Sequence, residues 1–262
     1  MKDSEHAATE APIWTERFRI RSYDVDGTRR ATLPKLCGYF VEAAWNHAEA
    51  LGFGFTHLRN QGKFWVLSRL RCEMEIYPSW GDEVTLHTWP RGFEGVFAFR
   101  DFELVSDSGA RLGAGTSSWL VLDSVSKRPQ RLHKILPGRE TMTVKAALGG
   151  DAEKLEDNDT WDSEVHVAAS HSDIDVNQHV TSSRYIGWVL DSYPIGFHAQ
   201  NSVPVLEVNY LNETVEGDEI NVRTRESAPG IYLHTLAKAD GTEVCRARLE
   251  WRQNEGRAIS RA

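Results

Sequence analysis

Two short stretches of this chain, Trp80-Gly-Asp-Glu-Val84 and Glu216-Gly-Asp-Glu-Ile220, carry the same Gly-Asp-Glu turn 136 residues apart. Gly109 and Gly241, each ending an Asp-containing turn, stand 132 residues apart, as do Trp119 and Trp251. Two landmarks sharing one offset, with a small deletion between them and the first pair, point to an internal duplication. Such a chain folds as two copies of one unit.

The order of elements within each copy follows from local pattern. Residues 17–23 alternate and read as a strand. Thr32 then caps a helix with Pro34 in its first turn, apolar positions at Leu33, Leu36, Cys37, Phe40, Ala44, Ala48 and Leu51, and Gly52 just past its end. Its apolar face is wide, so the helix should be sheathed by sheet. Leu70, Cys72, Met74 and Ile76 next alternate with Arg69, Arg71, Glu73 and Glu75, as in a strand with one buried face. Gly81-Asp82 turns into a strand over 83–88, residues 96–105 follow, and Asp107-Ser-Gly109 marks a hairpin into 114–123. The second copy repeats this: a strand at 165–169, a helix over 181–193 closed by Pro194, and an alternating strand at 205–211. One strand, one helix, then a run of antiparallel strands makes the class α+β. The expected organisation is an N-terminal unit over 1–130, a linker over 131–160 and a C-terminal unit over 161–262. Within the linker, the acidic, Gly-containing residues 149–159 read as exposed chain.

Composition narrows the function classes. With 262 residues, 40% hydrophobic and 26% charged, the chain is an ordinary globular protein with enough length for a sizeable core. The chain has no run of about 18 apolar residues that could span a bilayer. The first twelve residues lack the apolar core of a signal peptide and the Arg-rich pattern of a transit peptide, and are expected to be a frayed tail. Three distant cysteines (Cys37, Cys72 and Cys245) show no metal spacing and fit a reducing cytoplasm. A net charge of −8 argues against nucleic acid.

Chemistry concentrates at the start of the second copy. Asp175, Asn177 and His179 recur every second residue, a spacing that puts them on one side of an extended segment. Thr181 or Ser182 then caps the following helix. Three functional side chains would thus be delivered to a helix N-terminus, where free N–H groups favour a developing oxyanion. Counting back 149 residues, Asp173, Asp175, Asn177 and His179 fall opposite Asp24, Asp26, Thr28 and Arg30; counting back 136, Glu213 falls opposite Tyr77. One copy keeps the chemistry, and the other is free to shape a ligand pocket.

These residues resemble the acyl-acyl-carrier-protein (acyl-ACP) thioesterases of the plastid type and their bacterial relatives. In the first half the likeness rests on Phe18-Arg-Ile-Arg-Ser-Tyr23, Ala44-Trp-Asn-His-Ala48, Tyr77-Pro-Ser-Trp-Gly-Asp82, Ser118-Trp119 and Lys127-Arg-Pro-Gln-Arg-Leu132. In the second it rests on Asp175-Val-Asn-Gln-His-Val180, Tyr185-Ile-Gly-Trp188 and Tyr210-Leu-Asn-Glu213. The resemblance implies a double hotdog fold, two tandem units each with an antiparallel sheet wrapped around a long helix. It also implies hydrolysis of the thioester between a fatty acyl chain and the phosphopantetheine arm of acyl carrier protein. No cofactor is expected, and no metal site either, since the helix carries no His-Glu-x-x-His and Asp175 and His179 lack further ligands at suitable spacing. Asp175, Asn177, His179 and Glu213 match the family's catalytic set. Family members commonly have Cys after that Glu, where this chain has Thr214, and Asn-Asn after His-Val, where it has Thr181-Ser182.

The chemistry then expected is water activation by His179 with Glu213, and polarisation of the carbonyl by Asn177 with backbone amides at the helix start, Val180 and Thr181. Asp175 either orients this set or attacks the carbonyl itself. An acidic carrier protein needs local positive charge for docking, and the candidates are Lys127, Arg128, Arg131, Lys134 and Arg184, with Arg29 and Arg30 besides. The acyl tail is expected beside the first helix, among aromatics such as Phe40, Trp45, Phe64 and Trp65. Alternatives from the same scaffold are an acyl-CoA thioesterase or a hydratase or dehydratase acting on an acyl thioester. Preferred chain length is not legible, and a homodimer is compatible with all of these readings.

Overall fold

In a computed structural model, residues 12–137 and 145–254 are described, together with short strand pieces at 9–10 and 142–143. A ten-stranded sheet, antiparallel throughout, dominates them. In chain order its strands are β1 (Trp14–Arg19), β2 (Lys63–Met74), β3 (Glu83–Glu94), β4 (Phe97–Ser106), β5 (Arg111–Asp123), β6 (Ser163–Ala168), β7 (Asn201–Tyr210), β8 (Glu219–Ala228), β9 (Ile231–Lys238) and β10 (Glu243–Gln253). Across the sheet they run β1-β3-β4-β5-β2-β7-β10-β9-β8-β6. Each half has the same internal order reversed in space, as two copies facing each other would. The halves join where β2 pairs with β7, Leu70 opposite Val208 and Cys72 opposite Leu206.

Both long helices lie on one face of this sheet. Helix α1 (Leu33–Ala50) begins at Thr32 with Pro34 in its first turn and ends before Gly52, whose φ of +76° suits a residue without Cβ. Helix α3 (Ser182–Asp191) begins at Thr181. Leu33, Leu36, Cys37 and Phe40 of α1 are buried with Ile186, Trp188 and Val189 of α3 in one continuous core. Phe40 stacks on Phe102 of β4 with ring centroids 4.8 Å apart. That contact needs Gly115: a Cβ there would stand 2.8 Å from the Phe40 ring. Burying side chains of this size supplies about 1.5–3 kcal/mol each. The α+β double hotdog expectation therefore holds.

Residues 149–159 are mostly exposed, as expected, but the segment after residue 144 is anchored as a strap across the outer face of the sheet. Leu148 and Ala147 are buried against Trp89 and Ala114. Asp101 accepts the Ala147 N–H at 2.7 Å and also holds Arg91, which reaches Asp151. Further on, Asn209 accepts the Leu155 N–H and donates to the Glu153 carbonyl, while Arg246 donates to the Leu155 carbonyl. Polar side chains on the outward face of the strands supply partners for the strap's backbone, which a local reading of Gly and acidic residues does not reveal.

Candidate active site

The second-copy motif is a closed turn, not an extended segment. Ile174 and Val180 pair as an isolated bridge, the Asp175 N–H donates to the His179 carbonyl at 2.8 Å, and Gln178 adopts a φ of +66° to close the loop. Asp175 Oδ1 accepts the Asn177 N–H at 2.7 Å and the more distant His179 N–H at 3.4 Å, an Asx turn. The expected two-residue periodicity is thus overridden by side chain–backbone bonding from Asp175 itself. Asp173, buried, accepts the Ser170 N–H through its carboxylate and the Thr181 N–H through its carbonyl, tying the turn to the helix start.

This turn brings His179 Nε2 to 3.2 Å from Glu213 Oε2, although 34 residues separate them. Glu213 is delivered by the exit from β7, where the Thr214 carbonyl accepts the Val180 N–H at 2.8 Å. Thr214 itself is fully buried and out of a substrate's reach. Its carbonyl and Asp173 are the positioning groups that the motif alone did not disclose; the repetition of Asp24 at Asp173 was the available signal.

The first copy builds the same turn with different side chains. Val25 bridges Ala31, the Asp26 N–H donates to the Arg30 carbonyl, Arg29 takes a φ of +68°, and the Ala31 N–H donates to the Pro78 carbonyl. Asp26 Oδ1 accepts the Thr28 N–H and hydroxyl. At the place of His179 stands Arg30, spent on Asn254 and on the His198 and Asn201 carbonyls; at the place of Glu213 stands Tyr77, donating to the Val203 carbonyl at 2.7 Å.

Asn177 opens onto an apolar pocket of the first copy. Its walls include Val41, Ala44, Trp45 and Ala48 of α1, the loop residue Phe53, the helical Phe55, Phe64 and Trp65 of β2, and Trp119 of β5. Trp45 stacks on Phe55, the first residue of the short helix α2 (Phe55–Arg59), and the Trp65 indole N–H is held by the Phe53 carbonyl. Of the four aromatics expected here, Trp45, Phe64 and Trp65 line the pocket, whereas Phe40 is core. One wall is polar: buried Arg100 donates to His47 Nδ1 at 3.0 Å and to the Thr88 hydroxyl. Burial, and then the charge of Arg100, lowers His47 to about 4, so it is a neutral acceptor at neutral pH; burial lowers Arg100 to about 9.

The helix-start amides need correction. The Val180 N–H is donated to the Thr214 carbonyl and the Thr181 N–H to the Asp173 carbonyl, so neither is available to an oxyanion. Thr181 and Ser183 line a second, wide cleft of about 1220 Å³ beside the first-copy turn, not the aromatic pocket. Arg184 lines that cleft too, paired with Asp173 at 2.8 Å and with Asp191. Arg29 lies over the Trp80 ring. These cations are therefore separated from Lys127, whose ammonium sits over the Phe64 ring at 4.9 Å. Among the described residues no group of three or more metal-ligating side chains converges, and no helix is long and apolar enough to cross a membrane.

Comparison with known proteins agrees with this geometry. Residues 12–136 match the family model of the acyl-ACP thioesterase N-terminal domain, and residues 156–253 that of the C-terminal domain. A chloroplastic palmitoyl-acyl carrier protein thioesterase of Gossypium hirsutum is 29% identical over 271 residues, an alignment covering 94% of this chain and 65% of the relative. The chain thus spans just under two thirds of that relative's length. An acyl-ACP thioesterase from Bacteroides thetaiotaomicron superposes with a TM-score of 0.84 at 26% identity, covering 92% of this chain and 98% of the other. The 12:0-ACP thioesterase from Umbellularia californica gives 0.83 at 26% identity, with the same coverage.

Proposed function

The chain belongs to the acyl-ACP thioesterase family, and on that premise we propose that it hydrolyses fatty acyl-ACP to free fatty acid and holo-ACP. The observation that carries the reading is the convergence of His179 with Glu213 beside an apolar pocket onto which Asn177 opens. The acyl chain lies in the first-copy pocket, and the carbonyl is cut by second-copy groups.

A thiolate with a pKa of about 8.5 leaves readily near neutral pH, so the demanding tasks are activating water and holding the oxyanion. Glu213 accepts the His179 Nε2–H, which leaves the Nδ1 lone pair to take a proton from water. The water oxygen adds to the carbonyl carbon, and the Asn177 amide donates to the developing oxyanion. Collapse breaks the C–S bond, and the imidazolium returns its proton to the departing sulfur. Asp175 positions this set: its carboxylate is engaged by the N–H groups of the residues that do the work. No cysteine takes part, since Cys37, Cys72 and Cys245 are buried and Thr214 stands after Glu213. With both units in one chain the site is complete without a second copy, so a homodimer would add nothing to the chemistry. The three unpaired thiols suit a reducing cytoplasm.

The test is thiol release from saturated acyl-ACPs of graded length, with the matching acyl-CoAs alongside. Wild type should release thiol from acyl-ACP in preference to acyl-CoA. Asn177→Ala should lose on the order of a hundredfold in kcat, about 3 kcal/mol for one oxyanion donor. Preference for acyl-CoA would make the coenzyme A thioester the substrate, and near-normal turnover by Asn177→Ala would remove the mechanism.

A further inference from the structure

The cations that the sequence groups together fall on different surfaces, and only one of these adjoins the aromatic pocket. After β5 the chain turns back along the strand: the Gln130 N–H donates to the Val121 carbonyl, and Leu132 is buried with Leu58 of α2 and with Val121. This anchors Lys127, Arg128, Arg131 and Lys134, all exposed, beside α2 and the start of β2. There they meet two cations that the sequence reading passed over. Arg59 at the end of α2 lies over the Phe55 ring at 5.4 Å, as Lys127 lies over Phe64, and both rings line the pocket. Lys63 opens β2, next to Gly62, whose carbonyl accepts the Ser124 N–H.

Among the described residues none of these six cations is paired with a carboxylate. Of the carboxylates on these elements, Asp123 stands opposite Lys63 across the β2–β5 ladder and accepts the Val125 and Ser126 N–H groups, Glu49 accepts the Thr56 N–H, and Glu94 stands near the tip of the β3–β4 hairpin. In a chain of net charge −8, an unpaired cationic rim is a local reversal of sign.

The duplication places this rim beside the catalytic turn. Arg30, at the place of His179, reaches the Asn201 carbonyl at the start of β7 and Asn254 just past β10. The related places in the other copy are the start of β2 and the end of β5, where Lys63, Phe64 and Asp123 stand.

We propose that Arg59, Lys63, Lys127, Arg128, Arg131 and Lys134 form the docking surface for an acidic carrier protein, whose pantetheine arm enters beside Phe64 toward Asn177. This rests on the hydrolase reading above and names the surface that serves it. Charge complementarity of this kind acts mainly on encounter, and so on KM and on salt dependence. Arg184 and Arg30 line the opposite cleft and Arg29 is stacked on Trp80 beside the first-copy turn, so these three take no part.

The test compares one acyl group on two carriers, acyl carrier protein and N-acetylcysteamine, the second lacking any acidic protein. For the variant Arg128→Glu/Arg131→Glu/Lys134→Glu, the ratio of kcat/KM on acyl-ACP to that on the small thioester should fall at least tenfold. Raised salt should mimic the effect in wild type. Arg17→Glu/Lys35→Glu, on the opposite cleft, should leave the ratio within twofold. An unchanged ratio in the triple variant, or an equal fall in the opposite-cleft variant, overturns the proposal while leaving the hydrolase intact. Release of thiol from neither substrate by wild type would instead sink the hydrolase reading itself.

Discussion

The two halves of this molecule share a backbone and have exchanged tasks. Around α1 the first copy leaves an aromatic-walled pocket open between helix and sheet, bounded by Trp45, Phe64 and Trp65. Around α3 the equivalent volume is filled. That helix is eight residues shorter than α1, at 10 against 18, and Pro194 starts a second short helix, α4 (Ile195–Gln200). Tyr193, Phe197 and Trp251 then pack ring on ring, Tyr193 to Trp251 at 4.9 Å and Phe197 to Trp251 at 5.0 Å, and the Tyr193 hydroxyl meets His234 at 3.0 Å. Conversely, the turn that carries His179 opposite Glu213 in the second copy carries Arg30 opposite Tyr77 in the first, where both side chains only brace the fold. On the proposed reading, duplication lets one copy give up volume and the other give up reactivity, because the site is built from both.

The most severe way to break this comparison is to remove the reactive pair. His179→Ala should lower kcat/KM for acyl-ACP by about a thousandfold, within the 10²–10⁴ range for general-base catalysis. Tyr77→Phe, at the place of Glu213, should change it less than threefold and cost about 1 kcal/mol of stability for the lost hydrogen bond. Comparable losses in both variants, measured as thiol release, would mean that the first-copy turn is also a working site.

Next in size is the exchange of pocket for packing. Ala48→Phe, which fills the first-copy pocket, should cut kcat/KM selectively for the longest accepted acyl chains. Each methylene it excludes is worth about 0.8 kcal/mol, roughly fourfold. Trp251→Ala should lower stability by about 3 kcal/mol in urea denaturation and leave the chain-length profile in place. A profile that shifted with Trp251 and ignored Ala48 would put the acyl chain in the wrong half.

How far these assignments could be read without coordinates differs by kind of contact. Helix starts at Thr32 and Thr181, the alternation along β2 as far as Met74 and the repeat offsets are local or repetitive, and they survive, whereas Ile76, expected on the buried face, lies past the strand's end and is exposed. Asp175 shows where local reading stops. Its spacing to Asn177 and His179 suggested an extended segment, but its own carboxylate accepts their N–H groups and curls the chain. Val180 and Thr181 looked like free donors at a helix start until partners from Thr214 and Asp173 were seen to occupy them. Phe53 and Phe55 carry no periodic signal, because they reach the pocket from a loop and a single helical turn. Periodicity reports which face is apolar; whether a facing layer fills the space is decided by residues far away in the chain.

The feature the two copies share concerns pH and stability rather than turnover. Each copy buries one neutral histidine: His47, held down to about 4 by burial and Arg100, and His234, held down to about 3 by burial. Both folded values lie below the unfolded value, so the unfolded chain binds more protons between them. Stability should therefore be complete above about pH 6.5 and decline as pH falls toward 4 and then 3. The loss should be on the order of 3 kcal/mol per histidine, in urea denaturation at pH 7, 5 and 4. A transition midpoint that does not move across that window would show that the two imidazoles are not held neutral.

The most direct measurement is a crystal structure with a non-hydrolysable acyl-pantetheine in which a methylene separates the carbonyl from sulfur. The account predicts the acyl chain between Trp45, Phe64 and Trp65, with its carbonyl oxygen within hydrogen-bond reach of Asn177 and its carbonyl carbon facing His179. An acyl chain lying in the wide cleft beside Arg30 and Tyr77 would contradict it.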